Sequence, residues 1–192
     1  MMLPDCLQTA LTRAGVLALS LILGSGLATA HEPTRDSDDF VVHNDGTVTD
    51  QRLNLMWAAC TTGQQWQQGS CVGEPMRLSW SGGRHAARDS SLGGHDDWRL
   101  PTIRELRDLV HCSSGRRQGP DNTDGGYRCG GAFQSPTILQ EVFPDTPEEM
   151  FWSYSPSQFL SFGSMGVFFR SGGSFHRDRE DLYLVRMVRD LD

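Results

Sequence analysis

Between Asp97 and Leu106 the chain compresses a strand end, a stop and a helix start: Asp97-Trp98-Arg99-Leu100-Pro101-Thr102-Ile103-Arg104-Glu105-Leu106. Leu100 ends a short apolar run, and Pro101 stops it, because proline lacks the N–H that a continuing strand needs. Thr102 followed three residues later by Glu105 is a capping box. The Thr102 hydroxyl accepts the Glu105 backbone N–H, and the Glu105 carboxylate reaches back to the Thr102 N–H. A helix is expected from Ile103 to about Val110, with Ile103, Leu106, Leu109 and Val110 on one buried face. These are packing and capping signals, so Trp98 is expected in the core. Asp97 and Arg99 are expected to pair with backbone or with each other at the junction.

Residues 1–30 read as a signal peptide. Arg13 supplies the positive flank, Val16 to Leu27 the apolar stretch, and Ala28-Thr29-Ala30 a small-residue cleavage site. Gly24 and Gly26 break that stretch, which is short for a membrane span; an uncleaved anchor is the competing reading. The expected organisation is 1–30 signal peptide, 31–39 flexible acidic N-terminus, and 40–190 one domain, exported to the periplasm or beyond. Of five cysteines, Cys6 leaves with the signal. Four in an exported domain imply two disulfides and leave three connectivities open. Cys60–Cys71 and Cys112–Cys129 are the expected pairs, because each brackets a glycine-rich, polar loop that closes locally. The alternative, a metal site, lacks a C-x-x-C pair or a histidine at zinc-ligand spacing.

The 17 basic residues are all arginine, against 24 acidic ones. The net charge of −7 argues against nucleic acid as a partner and, once the signal is cleaved, against a membrane surface. Arg116-Arg117 and Arg177-Asp178-Arg179 read as solvated faces, the alternative being a local basic patch.

Phe40–His43 and Thr47–Thr49 flank Asn44-Asp45-Gly46 as a hairpin. Leu53–Ala58 continues as buried strand, with Trp57 as a core aromatic. Ser79 to about Ser90 reads as a first helix, weakened by Gly82-Gly83, with Trp80, Arg84, Ala87 and Ser91 on one stripe. Ile138–Val142 is a short helix at most. Strands follow over Phe151–Tyr154, Val167–Arg170 and Tyr183–Val188, joined by Gly/Ser turns, with Trp152 in the core. Two helices with a curled antiparallel sheet make an α+β fold.

Several motifs occur in a fixed order along the chain. Asn44-Asp45-Gly46-Thr47-Val48-Thr49-Asp50 leads into Leu53-Asn54-Leu55-Met56-Trp57; Ser79-Trp80, Ala86-Ala87 and Gly93-Gly94-His95-Asp96-Asp97-Trp98 follow. Phe143-Pro144, Phe151-Trp152-Ser153, Gly166–Arg170 and Val185-Arg186-Met187-Val188-Arg189 come last. The series resembles the Lcl-type domain family, named for the C-terminal module of a bacterial collagen-like adhesin, from about Phe40 to Arg189. The resemblance implies a C-type-lectin-like architecture in which the two termini pair and long loops sit on one side. It also implies structural roles for Trp57, Asp97, Trp98, Arg99, Pro101, Thr102, Glu105, Trp152, Arg186 and Arg189. Met187 departs from the pattern, since relatives carry a cysteine between the two terminal arginines.

Signals for chemistry are sparse. No G-x-S-x-G elbow is present and the cysteines are committed to disulfides, so no catalytic residue, cofactor or metal is expected. Asp121-Asn122-Thr123-Asp124-Gly125-Gly126 offers oxygen ligands, but it departs from calcium-loop spacing and lacks the closing acid, so a plain turn is expected. The Glu-Pro-Asn, Gln-Pro-Asp and Trp-Asn-Asp signatures of sugar-binding C-type lectins are absent; Glu74-Pro75-Met76 keeps two residues of one. The loop from Ser155 to Ser164 differs. Phe159 and Phe162 stand there among serines and glycines, and exposed aromatics bury much surface with few rotors; local packing is the alternative. Phe159, Phe162, Arg170, His176 and Arg177 are the candidate ligand contacts, with His176 placed in the Gly172-Gly173-Ser174-Phe175 turn.

The expected function is that of an exported, noncatalytic binding module for a glycan, matrix component or protein at the cell surface. One alternative is a structural subunit of a surface assembly, which makes a homo-oligomer. Another is a relative of the formylglycine-generating oxidases, lectin-like enzymes with a similar RLPT helix start. Against that stands the lack of any cysteine after Cys129.

Overall fold

The computed structural model describes residues 35–119 and 126–191. The signal-peptide reading, residues 31–34 and the Asp121–Asp124 loop lie outside them. In chain order the elements are β1 (Phe40–Val42), β2 (Thr47–Asp50), β3 (Leu55–Ala58), β4 (Gln65–Gln67), β5 (Ser70–Val72), α1 (Trp80–Arg88) and α2 (Ile103–Asp108). After them come β6 (Arg117–Gln118), β7 (Arg128–Cys129), β8 (Met150–Pro156), β9 (Gly163–Phe168), β10 (Gly173–Asp178) and β11 (Val188–Asp190). The class is α+β. One antiparallel sheet has the order β1-β2-β3-β11, a second β10-β9-β8, and β4–β5 and β6–β7 are small hairpins. The C-terminal strand therefore closes onto the N-terminal sheet, with Val188 opposite Trp57.

Local chemistry sets these elements. Asp45 Oδ1 accepts both the N–H and the hydroxyl of Thr47, at 3.0 and 2.7 Å, and turns the β1–β2 hairpin. Both halves of the Thr102–Glu105 box are formed. α2 stops at Asp108, earlier than its apolar pattern, yet Leu109 and Val110 beyond it are still buried. Ser79 caps α1 by accepting the Gly82 N–H. Gly83 is needed for packing: a Cβ there would lie 2.7 Å from Val185 Cγ2. The glycine costs about 1 kcal/mol of helix propensity and lets α1 lie directly on the C-terminal segment.

Two apolar clusters make up the core. Trp57, Phe143, Phe151, Phe169 and Leu184 belong to one; Trp80, Trp98, Leu100, Trp152 and Met187 to the other. Met187, which departs from the expected motif, is a packing residue of the second cluster. Burying one such aromatic removes roughly 200 Å² from water, about 5 kcal/mol as an upper bound. Cys60–Cys71 and Cys112–Cys129 are both bonded, as the local-loop reading expected. Arg186 is fully buried, donating to the Ala58 and Ala59 carbonyls and to Thr146 Oγ1, against the Phe143 and Phe151 rings. Burial pushes its guanidinium down to about 9, so it still carries its proton at neutral pH.

Several expectations need correction. The segment read as flexible is built into the fold from Arg35 onward. Arg35 is 2% exposed, makes ion pairs with Asp39, Asp50 and Asp108, and lies over the Phe40 ring. Three carboxylates converge on this one buried cation, and two of them, Asp50 and Asp108, are far from it in the chain. Asp97 and Arg99 do not pair with each other; the backbone alternative holds for Arg99, whose Nη1 donates to the Leu100 carbonyl at 3.4 Å. Asp97 accepts from Arg189 at 2.6 Å, and Arg99 bonds Glu105 and Asp190. The strand ending at Leu100 is reduced to a single bridge, Arg99 with Val188. Ile138–Val142, read as a short helix at most, is a bend and turn with no helix. Tyr183–Val188 is buried from Leu184 on but mostly irregular, because its backbone groups bond α1's approach, β8 and the sheet edge in turn. Gly173–Asp178, read in part as a turn, is the strand β10, and the turn precedes it.

Candidate binding face

The β8–β9 connection, residues 157–162, is built on Ser157. Its Oγ accepts the N–H groups of Phe159 and Leu160 at 3.1 and 2.8 Å and bonds His176 Nδ1 on β10 at 2.8 Å. The Ser157 N–H donates to the Gly163 carbonyl, and the Gly163 N–H to the Leu160 carbonyl. Gly163 is required there, since a Cβ would meet Leu160 Cβ at 2.6 Å and the Arg177 carbonyl at 2.9 Å. The loop is thus tied down through its backbone while its side chains face water. Phe159 is 68% and Phe162 81% exposed, with Leu160 also exposed. The Phe159 and His176 rings are close to perpendicular, with centroids 4.7 Å apart.

Beside the loop stands a stack that the sequence reading did not assemble. Arg179 lies 4.0 Å and Arg84 4.9 Å from the Trp80 ring, and Arg84 also lies 5.5 Å from Tyr154. Arg179 Nε donates to Ser164 Oγ at 2.8 Å, and its backbone N–H reaches the Phe162 carbonyl. Trp80 is held by its indole N–H on the Ser153 carbonyl. Part of this was legible: Trp80 and Arg84 are four apart on α1, and Arg179 belongs to the Arg177-Asp178-Arg179 run. The pairing of helix with hairpin was not, because it depends on how β8 docks. That docking uses Pro101, whose carbonyl accepts the Tyr154 N–H, and Ser155, whose Oγ accepts the Ile103 N–H that opens α2.

Of the five candidate contacts, Phe159, Phe162, His176 and Arg177 gather at this end of the hairpin. Arg177 lies over the Phe175 ring and donates to the His176 carbonyl. Arg170 is separate. It follows β9 at its far end, about 20 Å along a six-residue strand, and lies 3.8 Å from Glu148. Asp178, Glu180 and Asp181 border the arginines, so the face is mixed in charge around an apolar centre.

Among the described residues no group of three or more His, Cys, Asp or Glu is placed to hold a metal, and every described cysteine is in a disulfide. No described helix is long and apolar enough to cross a membrane.

The chain is thus a disulfide-stapled α+β domain that presents exposed aromatics and arginines at one end of the β8–β9–β10 sheet. The family model of the Lcl C-terminal domain matches residues 46–189, and the chain belongs to that family. No curated protein matches the chain.

Proposed function

We propose that this is an exported, noncatalytic binding module on a C-type-lectin-like frame. It recognises a glycan, matrix component or protein at the cell surface through the 157–162 loop and the adjoining Arg84–Trp80–Arg179 stack. One observation carries the reading: Phe159, Leu160 and Phe162 are exposed together on a loop whose backbone is already fixed. A fixed loop loses little freedom on binding, and its rings offer large area at low entropic cost. The family's naming after an adhesin module and the two disulfides, which suit an oxidising compartment, support the same reading. The test is an array of glycans, sulfated polysaccharides and matrix proteins probed with the mature chain, in calcium and then in EDTA. Binding that is indifferent to EDTA is expected. Binding that EDTA abolishes would move recognition to a metal site, and no binding at all would favour the structural-subunit reading.

A further inference from the structure

A cleft of about 460 Å³ opens between the chain linking β3 to β4 and the end of α1, within the range of small-molecule sites, about 300–1,000 Å³. No residue of the 157–162 loop or of the arginine–tryptophan stack lines it. Trp66 offers a half-buried ring, and Ala58, Ala86, Leu92 and Met187 add apolar surface.

The polar side chains of the lining are one carboxylate, Asp45, the amides of Gln64 and Gln65, and the hydroxyls of Thr61, Thr62 and Ser90. Asp45 is its single charged residue. Its Oδ1 is taken by Thr47, and Oδ2 accepts no hydrogen bond among the described residues. Gln64 is pinned, accepting from the Thr61 N–H at 3.3 Å and donating to the Cys71 carbonyl at 3.4 Å. The hydroxyls of Thr61, 1% exposed, and of Thr62 are buried without a hydrogen-bond partner. Buried hydroxyls in that condition are costly unless something supplies a partner.

The charge pattern narrows the occupant. With no arginine or histidine in the lining, an anion has nothing to pair with. Asp45 is the one charge, and the uncharged polar majority of the lining, Thr61, Thr62, Gln64, Gln65 and Ser90, suits a neutral hydroxylated ligand better than a cation. A ring with an apolar face for Trp66 and hydroxyls for Asp45, Thr61, Thr62 and the exposed Gln65 amide matches this mixture of groups. We propose that this cleft is a second binding site, taking a neutral, hydroxyl-rich ring of mono- to disaccharide size.

The test is a titration of the isotopically labelled mature chain, followed by amide and indole NMR, with glucose, galactose, mannose and N-acetylglucosamine. Each is taken to about 100 mM, two decades above a Kd of about 1 mM. At least one sugar is expected to shift the Gly46, Thr61–Gln65 and Trp66 indole resonances and to leave 159–162 unmoved. Thr61→Val and the exposed-site change Gln65→Ala are each expected to weaken that binding about tenfold with the remaining spectrum native, and Phe159→Ser/Phe162→Ser to leave it unchanged. Choline and sulfate serve as cationic and anionic probes. The proposal is overturned if no sugar moves these resonances, or if choline or sulfate moves them at lower concentration than any sugar.

Discussion

Arg99 closes a two-bonded fork on Glu105, Nη1 to Oε2 and Nη2 to Oε1, each at 2.9 Å. Oε2 also accepts the Thr102 N–H at 2.6 Å, and Arg99 Nη2 continues to Asp190 on β11 at 2.8 Å. The cap that starts α2 is thereby fastened to the C-terminal strand, and β8, which leads into the 157–162 loop, rests on the same junction through Pro101 and Ser155.

Glu105→Gln keeps an acceptor for the Thr102 N–H and loses the charged fork. It is expected to cost about 1–2 kcal/mol, and Glu105→Ala, which loses both, about 2–3 kcal/mol. Urea unfolding at constant m-value measures both. Equal costs for the two would mean that the cap contributes nothing beyond the ion pair.

The same carboxyl sets a pH dependence. Burial alone would raise it, but the Arg99 fork and the Thr102 N–H outweigh burial and hold it below its ordinary 4.5. A folded value below the unfolded one contributes stability above about pH 4.5, lost as pH falls through the folded value. The stability gap between wild type and Glu105→Gln is expected to be full at neutral pH and to narrow below about pH 4.5. A gap constant down to about pH 2 contradicts it.

The disulfides span sequence separations of 11 and 17 residues. Cys112→Ala/Cys129→Ala is expected to cost about 3 kcal/mol, and Cys60→Ala/Cys71→Ala a few tenths less. For a domain of this size each corresponds to a Tm lower by roughly 10 °C in calorimetry. The reverse order would mean that native packing around the shorter bridge outweighs loop entropy.

Arg179 holds its guanidinium carbon 4.0 Å from the centre of the Trp80 ring and donates to Ser164. Arg179→Lys keeps the charge and loses the plane, so most of the Arg179→Ala cost, about 1 kcal/mol, is expected for both. Full stability in Arg179→Lys would reduce the contact to charge alone.

How far the sequence reaches can be seen in single residues. Thr102 and Glu105 announce their own helix start, and the two cysteine pairs announce their loops, because each interaction is local. Trp57, Trp98 and Trp152 are core because nothing else in their segments can bury as much. Arg35 and Asp50, Arg99 and Asp190, and Trp80 and Arg179 meet only once the sheets close, and no spacing encodes that closure. Phe159 and Phe162 were legible as exposed aromatics, while their arginine neighbours on α1 and beyond β10 were not. Arg170 looked equivalent to Arg177 in sequence and lies at the opposite end of the hairpin.

The most direct test of the binding account is Phe159→Ser/Phe162→Ser in the mature chain, with array binding and thermal unfolding read on the same samples. The account predicts stability within about 0.5 kcal/mol of wild type, since both rings are exposed. It also predicts loss of at least about tenfold in affinity for whatever component the wild type captures. Undiminished binding by this stable double variant would contradict it and remove the hairpin end from the recognition surface.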